Sequence, residues 1–199
     1  MDFNDNTKEA EFRTKVRKFL DENAQRRGEV IKTPTTAGAP ESVSGEKAAN
    51  DALMKAKEWQ KKKAEAGLAA IIWPKEFGGY GGSPIEQVIY QQEEHNYFVH
   101  SGYFEIGIGM LGPTMMVWGK DEDKKKYLPK MLTGEEIWCQ LFSEPAAGSD
   151  LAGIKMKAEK DGSDWILNGQ KVWTSGAHLS DYGMIVARSD PNAVKHKGL

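Results

Sequence analysis

An apolar stretch, Trp138-Cys139-Gln140-Leu141-Phe142, runs into a loop of small residues, Ser143-Glu144-Pro145-Ala146-Ala147-Gly148-Ser149-Asp150. Gly148 permits close backbone approach, and the N–H and hydroxyl of Ser149 can both donate to a phosphate oxygen. Downstream, Asn168-Gly169-Gln170-Lys171-Val172-Trp173-Thr174-Ser175 places an indole next to two hydroxyls. A tryptophan on a strand usually belongs to a core, but the polar residues after it suggest a strand that ends at an accessible site. Together the two segments offer phosphate donors, an aromatic plate and polar groups for a flat heterocycle. That inventory suits a dinucleotide with a large planar ring better than a metal or a nucleic acid. An ordinary turn of small residues is the competing reading, and composition leaves the two open.

The other candidate groups carry less. Glu93 and Glu94 sit in a helical pattern where a solvated or interfacial role suffices, and a hydrogen-bonding role in its loop suffices for Glu144. His95, His100, His178 and His196 have no metal-ligand spacing and fit surface or packing roles. The glycines of Phe77-Gly78-Gly79-Tyr80-Gly81-Gly82 are dense, but no Gly-Lys-Ser/Thr follows and the spacing is not that of a dinucleotide fingerprint, so a structural turn is expected.

The elements that must position these residues fall into two kinds. Phe12, Val16, Phe19 and Leu20 recur at helical spacing over 7–25, and Ala49, Leu53, Ala56 and Trp59 do so over 46–66. Between them, 28–45 reads as a linker. Ser83-Pro84-Ile85-Glu86 is a capping box with proline at the first helical position, opening a helix to about 99. A glycine-interrupted apolar helix is expected over 103–118; it is shorter than the ~20 residues of a membrane span. Acids at 121–123 and lysines at 124–126 mark a last helix, closed by Pro129 and Gly134. From Glu136 the period becomes two, and Asp161-Gly162 and Asn168-Gly169 predict hairpins. The expected class is α+β: an all-α bundle over 1–133, then an incomplete antiparallel β-barrel or sandwich over 134–199.

Across 199 residues the formal net charge is −2, so no global field attracts nucleic acid or an anionic membrane. The lone Cys139 rules out a disulfide within the chain and suits a reducing cytoplasm. The acidic N-terminus lacks the order of a signal peptide.

Phe142 to Asp150, Leu167 to Ser175 and Ala187-Arg188-Ser189 resemble the acyl-CoA dehydrogenase family, as do Trp73-Pro74-Lys75-Glu76-Phe77-Gly78-Gly79 and the region of Lys126-Tyr127-Leu128-Pro129. The stretches 140–143 and 173–178 are most similar to the branch acting on steroid side-chain CoA thioesters. The resemblance implies FAD as cofactor and α,β-desaturation of an acyl-CoA, with an electron-transfer flavoprotein or similar acceptor and a homo- or hetero-oligomer. Carried over by it, Gln140, Leu141, Phe142 and Ser143 flank the flavin ring. Gly148 and Ser149 meet the pyrophosphate, Ser149 also nearing the substrate's pantetheine arm. Trp173 packs on the ring, with Thr174 and Ser175 near its N5. Leu141 stands where the family has a small residue, and Ser143 where threonine is common. The family's base is a carboxylate of a C-terminal helical domain expected to be absent from this chain, so no catalytic base is assigned and these residues alone are expected to be inactive. A non-catalytic partner subunit, or a flavoprotein oxidising with oxygen, is the alternative.

Overall fold

A computed structural model describes residues 4–28 and 46–199; the linker expected over 28–45 lies, but for Gly28, outside the described residues. The chain divides into two compact units, Met1–Glu136 and Ile137–Leu199. Among the described residues no helix is long and apolar enough to cross a membrane.

The first unit contains α1 (Thr7–Asn23), β1 (Gln25–Arg26), α2 (Glu46–Glu65), α3 (Pro84–Glu94), β2 (Tyr97–Phe98), α4 (Gly112–Trp118) and α5 (Asp121–Thr133). Asn6 and Glu9 form a capping box on α1, and Ser83 and Glu86 form one on α3. Phe12, Val16 and Leu20 of α1 are buried with Trp59, Leu68, Ile71, Ile89, Tyr90 and Tyr97 in one core.

Three local departures from the expected helices have identifiable causes. The third helix stops at Glu94 rather than near 99, because Tyr97 turns inward, is 1% exposed and donates its hydroxyl to Asp21. The chain there pairs antiparallel with β1, Gln25 opposite Phe98, so this unit is not purely helical. The helix expected over 103–118 starts at 105 and is interrupted by a π-turn at Gly107–Leu111, where the Gly112 N–H reaches back to the Gly107 carbonyl. Pro113 has no N–H to donate to the preceding turn, and the loosened Ile108 carbonyl instead accepts from Trp73 Nε1 at 2.8 Å. Pro129, expected to help close α5, lies inside it, and the helix ends at Gly134 in the left-handed region, φ 74°.

The glycine cluster is a structural turn. The amides of Gly79, Tyr80, Gly81 and Gly82 donate to the carbonyls of Pro74, Ala70, Trp73 and Ile71, which leaves none of the four for an anion.

Helices α1 and α3 are tied by charge. Arg13 donates to Glu93 at 2.8 Å, and Arg17 makes two bonds to it at 2.8 and 2.9 Å. Burial alone pushes the Glu93 carboxyl up, but the bonds from Arg17 and Arg13 outweigh it and hold the group below its ordinary 4.5. A depressed carboxyl stabilises the fold fully above 4.5, and that contribution is lost as pH falls through the lowered native value. Glu93→Gln is expected to cost about 2 kcal/mol, less than a fully buried pair because Arg17 is half exposed. The shift in urea midpoint measures it; an unchanged midpoint would show the tie to be idle.

The second unit contains β3 (Trp138–Leu141), β4 (Lys157–Asp161), β5 (Asp164–Asn168) and β6 (Tyr182–Ile185). The Asp161-Gly162 hairpin forms as expected, Asp161 facing Asp164. The antiparallel barrel or sandwich does not. Among the described residues no sheet closes, and β3 pairs parallel with β6, Trp138 opposite Tyr182. The cause lies at the strand starts. The Ile137 N–H donates to the Asp181 carboxylate, and the amides of Asp181 and Tyr182 donate to the Ile137 carbonyl. Both strands are pinned at the same end and must run the same way.

Candidate functional site

Gln140 and Leu141 close β3 opposite Met184 and Ile185. Leu141 folds toward its neighbour strand because position 183 is glycine: a Cβ there would lie 2.6 Å from Leu141 Cδ1 and 3.1 Å from Cys139 Sγ. Phe142 and Ser143 then leave the strand half-buried.

Glu144 begins the loop and anchors it. Its amide and carbonyl exchange hydrogen bonds with Ala147, at 2.8 and 3.1 Å, closing a tight turn over Pro145-Ala146. Its carboxylate points inward, 8% exposed, accepting from the Lys155 N–H at 2.6 Å, the Met156 N–H at 2.9 Å and Lys171 Nζ at 3.0 Å. Burial pushes this carboxyl up; the two amides and the Lys171 ammonium more than offset that and hold it below its ordinary value. A carboxylate so committed is a structural hub and not a free base. Glu93 is held by two arginines, and Glu94 accepts from Trp59 Nε1 and the Tyr90 hydroxyl.

Past the hub the loop opens outward. Gly148 and Ser149 are exposed, and a Cβ at Gly148 would meet nothing within 4 Å. Asp150 pairs with Lys195, and its carbonyl receives the Gly153 N–H. No hydrogen bond among the described residues joins Gly148 or Ser149 to Trp173-Thr174-Ser175.

The Asn168-Gly169 pair is not the hairpin its sequence suggests. Gly169, φ 153°, packs on Met156, where a Cβ would lie 2.7 Å from the Met156 Cβ. Instead of pairing back onto β5, the chain runs to the end of β3. There the Val172 N–H donates to the Ser143 carbonyl at 2.9 Å, and Lys171 Nζ donates to the Phe142 carbonyl at 2.8 Å. Trp173 follows, outside any strand and 90% exposed, with φ 58°. For a residue with a Cβ this left-handed conformation costs about 1–2 kcal/mol. Half-buried Thr174 and exposed Ser175 come next, their side chains making no hydrogen bond among the described residues, and Gly176, φ 74°, turns the chain toward β6. The fold thus brings Phe142 and Ser143 against the segment leading into Trp173.

Two family descriptions match this chain: "Acyl-CoA dehydrogenase, N-terminal domain" over residues 6–135 and "Acyl-CoA dehydrogenase, middle domain" over 139–199. The chain belongs to the acyl-CoA dehydrogenase family. It is 36% identical over 189 residues to the acyl-CoA dehydrogenase IpdE1 of Mycobacterium tuberculosis, a match covering 95% of this chain and 47% of that protein. Among solved structures, the Tcur3481-Tcur3483 steroid acyl-CoA dehydrogenase is similar at TM-score 0.73 and 31% identity, over 100% of this chain and 47% of that one. The ChsE4-ChsE5 complex from Mycobacterium tuberculosis is similar at TM-score 0.72 and 28% identity, over 100% of this chain and 46% of that one. The chain therefore spans about half the length of these relatives. Members of the family are oxidoreductases acting on CH–CH groups, and they use FAD.

Sequence reasoning toward an acyl-CoA dehydrogenase gave no role to Lys171 or to Arg188. Arg188 donates to the carbonyls of Ala152, Ile154 and Lys195, and so holds the far side of the 144–156 loop. Both lie inside stretches that carry the family resemblance, but their partners are carbonyls and a carboxylate distant in sequence, which no spacing rule reaches.

Proposed function

We propose that this chain forms part of an FAD-dependent acyl-CoA dehydrogenase that desaturates the α,β-bond of an acyl-CoA. The observation that carries the reading is Trp173: a large indole held 90% exposed in a left-handed backbone conformation, beside hydroxyls with no partner among the described residues. Strain of this kind persists where the surroundings enforce it, and it marks ligand sites. The donor set fits a flavin. Trp173 offers a plate for the ring, Thr174, Ser175 and Ser143 offer donors beside it, and exposed Gly148 and Ser149 offer amides to a pyrophosphate. Gln140, Leu141 and Phe142 supply backbone edges at the end of β3.

When bound, the flavin supplies the redox chemistry by taking up the β-hydrogen as hydride. The protein's share is to orient the thioester, exclude water and hold the reacting carbons in line. In this reading Ser149 also contacts the pantetheine arm. Glu93, Glu94 and Glu144 are committed to other partners, so the base that takes the α-proton is assigned to another part of the full-length protein or its assembly.

The likeness to the steroid enzyme and to the ChsE4-ChsE5 complex favours a steroid side-chain CoA thioester and a hetero-oligomer. It also supports a second reading, in which this chain is the non-catalytic partner of such a complex. Turnover of a panel of fatty-acyl and steroid side-chain CoA thioesters by the full-length protein, with an artificial electron acceptor, separates these. Enoyl-CoA formation supports the enzyme. Activity appearing only with a second chain, and persisting when this chain's FAD site is disabled, supports the partner. Trp173→Ala is expected to weaken FAD binding about tenfold while leaving the apo-protein melting temperature nearly unchanged, because the indole has almost no intramolecular contact. Unaltered FAD affinity would overturn the role given to Trp173.

A further inference from the structure

We propose that Lys171 is a positioning residue, locking the Trp173-Thr174-Ser175 turn against the end of β3 through the Phe142 carbonyl and the Glu144 carboxylate. Its ammonium is 5% exposed and lies 2.8 Å from the Phe142 carbonyl and 3.0 Å from Glu144 Oε1. Glu144 is itself fixed by two amides of the 155–156 segment, so Lys171 is gripped by a group that cannot follow it outward. One residue later the Val172 N–H closes on the Ser143 carbonyl. These two bonds straddle the end of β3, and the next residue is Trp173 at φ 58°. With its side chain in solvent, Trp173 draws little packing from the fold, so the strained turn needs an anchor just before it. Lys171 and Val172 are that anchor. A salt bridge this deep repays its desolvation only with good geometry and further hydrogen bonds, and this one has both.

The consequence for the ligand rests on the flavin reading above; the clamp itself does not. Without the ammonium the Phe142 carbonyl loses its donor, the Glu144 carboxylate loses its counter-charge, and the turn is free to relax. Ring-facing groups would then be present but misplaced.

Two measurements on the full-length protein test this separately. In the apo state, amide hydrogen exchange at Val172 and through 173–176 is expected to quicken at least about tenfold in Lys171→Met, while the β4–β5 hairpin amides keep their rates. Unchanged exchange at Val172, or equal acceleration across the whole second unit, overturns the proposal. The second measurement is the FAD dissociation constant of wild type, Lys171→Met, Trp173→Ala and the double variant. Each single change is expected to weaken binding about tenfold and the double variant little more than one of them, because both act through the same turn. Additive losses, roughly a hundredfold together, overturn it. Where Lys171→Met does not fold, Lys171→Met with Glu144→Gln removes the unpaired buried charge, and the same readings apply. A wild-type protein that takes no FAD would refute the flavin reading and leave the exchange result to decide the clamp.

Discussion

An alanine at position 79 is expected to cost the first unit about 3 kcal/mol or more. A Cβ there would lie 2.1 Å from the Trp73 carbonyl oxygen, 2.3 Å from its Cβ and 2.5 Å from its carbonyl carbon. None of these atoms can yield. Trp73 is 1% exposed, its carbonyl accepts the Gly81 amide, and its indole is fastened to the Ile108 carbonyl. Moving Trp73 would also press it into Gly112, where a Cβ would already meet the indole at 2.2 Å. Gly67→Ala is the control: φ is 69° but nothing lies within 4 Å, so only the left-handed strain of about 1–2 kcal/mol is incurred. Urea denaturation of the two variants ranks them. Equal losses would mean that a small shift of the chain relieves the contact with Trp73, which then does not decide position 79.

Glu144→Gln is expected to destabilise the second unit by about 3 kcal/mol, because it leaves the buried Lys171 ammonium without its counter-charge. The pH dependence gives an independent sign. The native carboxyl lies below its ordinary 4.5, so its contribution is complete above that value and declines as pH falls through the lowered native one. Unfolding midpoints taken from about pH 5 down to about pH 2 should therefore fall more steeply in the wild type than in Glu144→Gln, which keeps the other depressed carboxyls such as Glu93. Parallel curves would show that some other carboxyl governs the acid limit. Lys155 and Met156 lose part of their acceptor in the same variant, so the loop bearing Gly148 and Ser149 is expected to loosen with the turn at Trp173.

Local rules read the first unit well. Phe12, Val16 and Leu20 announce the buried face of α1, Ser83-Pro84-Ile85-Glu86 announces the start of α3, and the bonded amides at 79–82 match the turn expected there. Each signal acts over a few residues, where sequence and geometry stay closely linked. The failures are long-range. Parallel pairing of β3 with β6 depends on Asp181 meeting Ile137, and the departure of the chain at Gly169 depends on Met156 filling the space beneath it. Period-two alternation is blind to both. The candidate site divides in the same way. Its exposed residues were legible as a motif, whereas Lys171 and Glu144, 27 positions apart, hold it through a contact that only the fold creates.

The parallel β3–β6 pair also fixes an order of assembly. The hairpin β4–β5 turns within two residues and can zip in about 1–10 μs. β3 has no such local partner: the residues that pin it are 44 positions apart, and the loop between must close before either strand gains anything. During synthesis at roughly 5–20 residues per second, Trp138 and Cys139 emerge a few seconds before the strand that will cover them. For that interval an apolar, unpaired strand is presented to the translation machinery and its chaperones. A pause after Leu141 has emerged and before Tyr182 has emerged would lengthen the exposure, and a pause after Ile185 has emerged would not.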